Sequence, residues 1–201
     1  MLTRFKTDIK DNIFKQDIVD PNCCLLNKWR GTLGTCFYER DWYNNNIVKY
    51  YKNKDDFACE IILNEYLLKK KITTDFDIDI KNQTLSYILD DNICLYNYLE
   101  NCNNYSTLRV LTNELFAFVN NFKKYHFIHG NLHIYNIFIN PKTLKLRIID
   151  FTHTRLIQKH NYINDEDLYS LYKSLHNYFT QKDDQKSISY LQLVALTYIA
   201  I

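Results

Sequence analysis

Residues 1–28 are polar and mixed, with an apolar pair at Leu25-Leu26, and read as an extension with some helix; strand-like and then helical patterns follow. Residues 33–38 and 46–51 read as strands, joined by a polar turn at 40–46. Phe57, Ile61, Ile62, Tyr66 and Leu67 recur at helical spacing and predict a helix over 57–70. Strands over 76–80 and 84–89 follow, around the turn Lys81-Asn82-Gln83. A short helix over 95–99 begins after Asp90-Asp91-Asn92. The clearest helix covers 106–125, with Ser106 as its cap and an apolar stripe of Leu108, Leu111, Leu115, Phe118, Val119 and Phe122. Two short strands, 137–139 and 146–149, flank the turn Asn140-Pro141-Lys142. Residues 167–179 then read as a buried helix. The order is strands with one helix, then helices around a loop and a β-hairpin, which predicts an α+β fold.

Composition narrows the function classes. The chain has 201 residues, enough for one core or for two small lobes. Its 46% apolar content fits a folded protein, and three glycines and two prolines leave little room for long linkers. The 25 basic and 23 acidic residues nearly cancel, and no basic arm suggests a nucleic-acid partner. Lys69-Lys70-Lys71 reads as a solvated helix end. The six cysteines have no metal-site or disulfide-framework spacing, so they read as small neutral residues in a reducing compartment. The apolar stretch 188–201 is shorter than the ~20 residues a spanning helix needs. It reads as a terminal packing helix, with a membrane or partner contact as the alternative. Frequent Asn, Ile, Lys and Tyr suggest an AT-rich genome.

A chain so poor in glycine keeps it where backbone must approach something closely or take φ > 0. All three glycines lie in two stretches, Trp29-Arg30-Gly31-Thr32-Leu33-Gly34 and His129-Gly130-Asn131-Leu132-His133-Ile134-Tyr135-Asn136. The second resembles the catalytic loop of kinases and aminoglycoside-phosphotransferase-like enzymes, with Asn131 where the family has the proton-accepting Asp. Arg147-Ile148-Ile149-Asp150-Phe151-Thr152 resembles the metal-binding Asp-Phe-Gly segment, with Thr152 in the glycine place.

The resemblance implies a two-lobed protein-kinase-like fold with a reduced helical C-lobe. Residues 1–28 would be an N-terminal extension, 29–91 a β-rich N-lobe and 92–201 the C-lobe. ATP and Mg²⁺ are the implied cofactors. Asn136 and Asp150 would hold the metal. Lys49 would contact the α- and β-phosphates, paired with Glu65, or with Glu60 at a shorter separation. Gly31 and Gly34 match the last two glycines of a G-x-G-x-x-G loop, and Trp29 stands at the first. Asn131, His133 and Lys49 fall at catalytic positions. A protonated His133 would face the γ-phosphate, or the ring would be a structural hydrogen-bonding group. His129 would support the loop, and Asp167 would brace it from the helix that follows.

Fewer than about 20 residues separate Asp150 from Asp167, too few for the long activation segment of ordinary protein kinases. The compact form is similar to atypical kinases of the RIO and lipopolysaccharide-kinase kind. The expected function is a nucleotide-binding pseudokinase or very weak kinase. An active phosphotransferase that tolerates Asn131 is one alternative. A virion-assembly protein that kept only the fold is another. Composition and degeneracy suggest a large DNA virus of insects, of baculovirus or nudivirus type. The protein would then be intracellular or virion-associated, with a protein partner to be found.

Overall fold

A computed structural model describes residues 30–33, 36–41, 46–156 and 166–199. The structure is a mixed α+β arrangement compatible with a kinase-like fold. It divides into two compact units. The first contains residues up to Ile61 together with Asp75–Leu89; the second contains Ile62–Thr74 and Asp90 onward. Residues 62–74 thus go with the second unit. The proposed extension 1–28, with Trp29 and Gly34, lies outside the described residues.

In the first unit, five described strands form one antiparallel sheet. They are β1 (Arg30–Leu33), β2 (Cys36–Asp41), β3 (Asn46–Tyr51), β4 (Phe76–Asp79) and β5 (Thr84–Ile88), in the order β1-β2-β3-β5-β4. The sequence pattern merged β1 and β2 into a single strand at 33–38; they are instead two antiparallel partners in which Gly31 faces Tyr38. β3 matches its expected span. Its period-2 pattern buries Ile47, Lys49 and Tyr51 on one face.

Helix α1 (Lys54–Lys69) contributes its first half to the first unit and its second half to the second. Its buried positions include Phe57, Glu60, Leu63, Asn64 and Leu67. Ile62 and Tyr66, expected on the apolar stripe, are exposed.

The second unit holds the main apolar core. α2 (Leu95–Asn101) and α3 (Tyr105–Asn120) are followed by a 3₁₀ turn at Asn121–Tyr125. Leu111, Leu115, Phe116, Val119 and Phe122 are buried in this core. β6 (Ile93–Cys94), β8 (Ile137–Ile139) and β9 (Leu146–Ile148) form a three-stranded sheet, in which Ile137 faces Ile148. β7 (Phe127–Ile128) pairs with β10 (Arg155–Leu156), which brings the residues just before the loop beside those just after Asp150.

Helices α4 (Glu166–Gln181) and α5 (Gln185–Tyr198) complete the unit. α5 packs on α3 and α4 through Ile188, Leu191, Val194 and Ala195. Among the described residues, no helix is long and apolar enough to cross a membrane.

The cap of α3 corrects the sequence reading. Asn104, not Ser106, is the N-cap, and its side chain accepts from the backbone N–H groups of Ser106 and Thr107. Asn104→Ala should therefore cost about 1 kcal/mol in urea unfolding. Ser106→Ala should cost only a few tenths, and the reverse order would return the cap to Ser106.

Candidate functional site

In the first unit, the side chain of Lys49 is fully buried on β3. Its Nζ lies 2.5 Å from Glu60 Oε2 and 5.0 Å from the centre of the Tyr51 ring. Tyr87 on β5 donates its hydroxyl to the other Glu60 oxygen at 2.9 Å. Both carboxylate oxygens are thus engaged. Breaking a buried pair of this kind by removing one partner typically costs about 3–5 kcal/mol. The expected partner Glu65 is exposed. The ion pair goes to Glu60, the alternative, because Glu60 shares the buried face of α1 with Phe57. Sequence reasoning missed Tyr87, whose signal was an aromatic residue on the strand next to Lys49.

In the second unit, the loop at 129–136 is fastened from α4. Asp167, fully buried, accepts from the N–H of His129 at 2.7 Å and of Gly130 at 3.0 Å. Further along α4, the Ser174 hydroxyl accepts from the N–H of Ile134 at 3.1 Å. Burial drives the Asp167 pKa up to about 6, against the opposing pull of the two N–H groups.

Gly130 has φ +78°, and a Cβ there would lie 2.5 Å from the backbone oxygen of His153. Both the conformation and the space call for glycine. His129 is buried, and its Nε2 bonds Ile149 O at 3.0 Å while its Nδ1 accepts from Asn131 N–H at 3.3 Å. That pattern assigns the neutral Nε2–H tautomer. The ring ties the loop to the strand end that carries Asp150. Thr154 adds another tie, donating its hydroxyl to His129 O at 3.3 Å.

Asp150 sits at φ +67°, in the left-handed region that costs a non-glycine residue energy and recurs at functional sites. Its side chain is nearly inaccessible to solvent. Thr152 donates to Oδ1 at 2.6 Å, and the amides of Asn131 and Asn136 approach Oδ2 at 3.4 Å. The threonine hydroxyl at 152 thus holds the carboxylate. The Asp-x-Thr spacing was the available signal for this bond.

Asn136 donates Nδ2 to the backbone oxygen of Asn131 at 3.0 Å and to His133 Nε2 at 3.1 Å. Those acceptors set the orientation of the amide. Its Oδ1 accepts no hydrogen bond among the described residues. A hard cation takes oxygen ligands, and Asn136 Oδ1 with the Asp150 carboxylate is a donor set of that chemistry. No cluster of three or more His, Cys, Asp or Glu metal donors occurs among the described residues. An Mg²⁺ held mainly by phosphates and one or two protein groups needs none.

His133 departs from the cationic role. Its Nδ1 is buried without a partner, and desolvation pushes the pKa down to about 4 despite the attraction of Asp150. The ring is neutral at pH 7, and its Nε2 holds the amide of Asn136. Asn131, Asn136, His133 and Asp150 thus come together in the second unit, and Lys49 has its partner Glu60 in the first. Gly31 lies in β1, while Gly34 is outside the described residues.

Residues 95–190, just under half of the chain, match the model of the lipopolysaccharide kinase (Kdo/WaaP) family, part of the protein-kinase-like superfamily. The match covers the loop, Asp150 and α4, and it points to a kinase-like phosphotransferase function. Lys49 and Glu60 fall outside it. Comparison with curated proteins gives no match.

The raised pKa of Asp167 has a measurable sign. An unfolded Asp ionises near 3.8, whereas the folded group ionises near 6. The folded chain therefore holds this proton more tightly. The resulting stability is complete below pH 4 and is lost as the pH rises through about 6, by up to ~3 kcal/mol. The stability difference between wild type and Asp167→Asn should shift against wild type between pH 4 and pH 7. Parallel pH curves for the two proteins would show that Asp167 does not titrate in this range.

Proposed function

We propose that the chain is a kinase-like protein that binds a nucleoside triphosphate with Mg²⁺ and transfers phosphate weakly or not at all. The observation that carries this reading is the set of neutral groups around Asp150. Asn131 stands where a carboxylate would accept the acceptor's proton, and it turns its amide N–H toward Asp150 instead. An amide takes up no proton near neutral pH. His133 offers no substitute base, because its pKa is near 4 and its Nε2 is engaged by Asn136. General-base catalysis typically supplies a factor of 10²–10⁴. Positioning and charge stabilisation carry most of the remaining barrier reduction in phosphoryl transfer.

Asn136 and Asp150 would hold the metal, and Lys49 would orient the phosphates. When bound, Mg²⁺ would supply positive charge to the phosphate oxygens. The chain's own residues do the rest: Asp167, Ser174 and His129 hold the loop, Thr152 fixes the carboxylate, and Glu60 with Tyr87 fixes the lysine. The family match favours a second reading, an active phosphotransferase that tolerates Asn131. On either reading the AT-rich composition supports a large DNA virus of insects as the source. The protein would work inside the host cell or in the virion, with a protein partner.

Thermal-shift titration with ATP, with and without Mg²⁺, tests binding. A ligand at 100 times its Kd stabilises by ~2.7 kcal/mol. Wild type should show a Mg²⁺-dependent shift, and Asp150→Ala should lose the dependence on metal. Asn131→Asp places a second carboxylate beside Asp150, and repulsion should destabilise it without Mg²⁺. With Mg²⁺, it should raise any ATP turnover at least about tenfold. Identical shifts for wild type and Asp150→Ala would contradict a metal–nucleotide site. Fast wild-type turnover, unchanged by Asn131→Asp, would favour the active phosphotransferase.

A further inference from the structure

The second unit contains a cavity of about 320 Å³ that the loop and Asp150 do not line. Four lysines and an arginine line it: Lys70, Lys71, Lys124, Lys145 and Arg147. None of the described residues lining it is acidic. The cations come from segments far apart in sequence: the turn after α1, the 3₁₀ turn, and the hairpin strand β9 with its preceding turn. Surface lysines are ordinarily scattered and solvated. Here they converge on a concave wall whose backbone is fixed.

The turn after α1 is held by Lys71 N–H to Leu68 O at 2.9 Å and by Ile148 N–H on β9 to Ile72 O at 2.9 Å. Lys71 itself adopts φ +59°, a left-handed conformation that turns the chain there. The Lys70 ammonium lies 5.9 Å from the centre of the Tyr125 ring, another wall residue, and 5.7 Å from that of Tyr66.

Like charges gathered around one cleft repel each other and focus a positive potential into it. The volume falls in the range of small-molecule pockets. We infer that this cavity binds a compact anion carrying two or more phosphate groups. The proposal is independent of the nucleotide reading, since none of the lining residues belongs to that site. The four exposed lysines alone exceed what a single phosphate can neutralise, and a cleft of about 320 Å³ matches the size of a small polyanion.

Isothermal titration calorimetry of the full chain at constant ionic strength tests it, with inorganic tripolyphosphate as the probe. Orthophosphate and hexaglutamate serve as comparison arms. Tripolyphosphate should bind in a salt-sensitive manner and at least about tenfold more tightly than orthophosphate. The double variant Lys71→Glu with Lys124→Glu should weaken it at least about tenfold while leaving the Mg²⁺–ATP thermal shift in place. Both lysines are exposed, so folding should survive; if the double variant does not fold, Lys145→Gln should still weaken binding. Equal affinity for orthophosphate, tighter binding of hexaglutamate, or an unchanged tripolyphosphate affinity in the folded variants would overturn the proposal.

Discussion

Asp167 is the constraint on which the candidate site rests. A carboxylate with no exposed surface is costly unless its oxygens are satisfied, and here both are taken by consecutive N–H groups of the loop. That pair of bonds fixes the backbone at His129 and Gly130. The fixed backbone lets His129 reach Ile149 on one side and Asn131 on the other. One buried acid on a helix therefore sets the spacing between the loop and the strand end that presents Asp150. The glycine at 130 follows from the same constraint, because the turn passes too close to His153 for a side chain.

The groups that this frame holds are largely neutral. Asn131, Asn136, Thr152 and His133 surround one carboxylate with amides, a hydroxyl and an uncharged imidazole. Such a set can hold Asp150 without a cation, which a site with aspartate at 131 does less well, because two carboxylates would face each other. Asn131 contributes a hydrogen bond to Asp150, and on the proposed reading it supplies no base. Lys49, meanwhile, is kept buried and oriented by Glu60 and Tyr87.

Much of the fold was legible because the strands and the later helices follow simple periods. β3, β8, α3 and α4 lie close to where the pattern puts them. The failures have physical causes. β1 and β2 pair as antiparallel partners across a stretch that the pattern reads as one strand. α1 buries Glu60 and Asn64 and exposes Ile62 and Tyr66, so apolar character alone did not mark the buried face, on which Glu60 lies and Glu65 does not. Asn104 caps α3 in place of the equally suitable Ser106. In the site, the loop motif brought out Asn131, Asn136 and Asp150, because their spacing is local. Tyr87 and Ser174 arrive through packing and carry no motif. The Lys69-Lys70-Lys71 run is exposed, as its pattern suggests, and the cations that join Lys70 and Lys71 around the cavity, Lys124, Lys145 and Arg147, lie more than 50 residues further along the chain.

The central claim is that Asn136 and Asp150 form the metal end of a nucleotide site. The most direct measurement is NMR of the Asn side-chain amides in ¹⁵N-labelled protein, with Mn²⁺–ATP added as a paramagnetic probe. The account predicts that the side-chain signals of Asn136 and Asn131 broaden first. It also predicts that excess Mg²⁺–ATP reverses the broadening and that Asp150→Ala largely removes it. Sharp Asn131 and Asn136 signals alongside broadening at other residues would place the metal elsewhere and contradict the account.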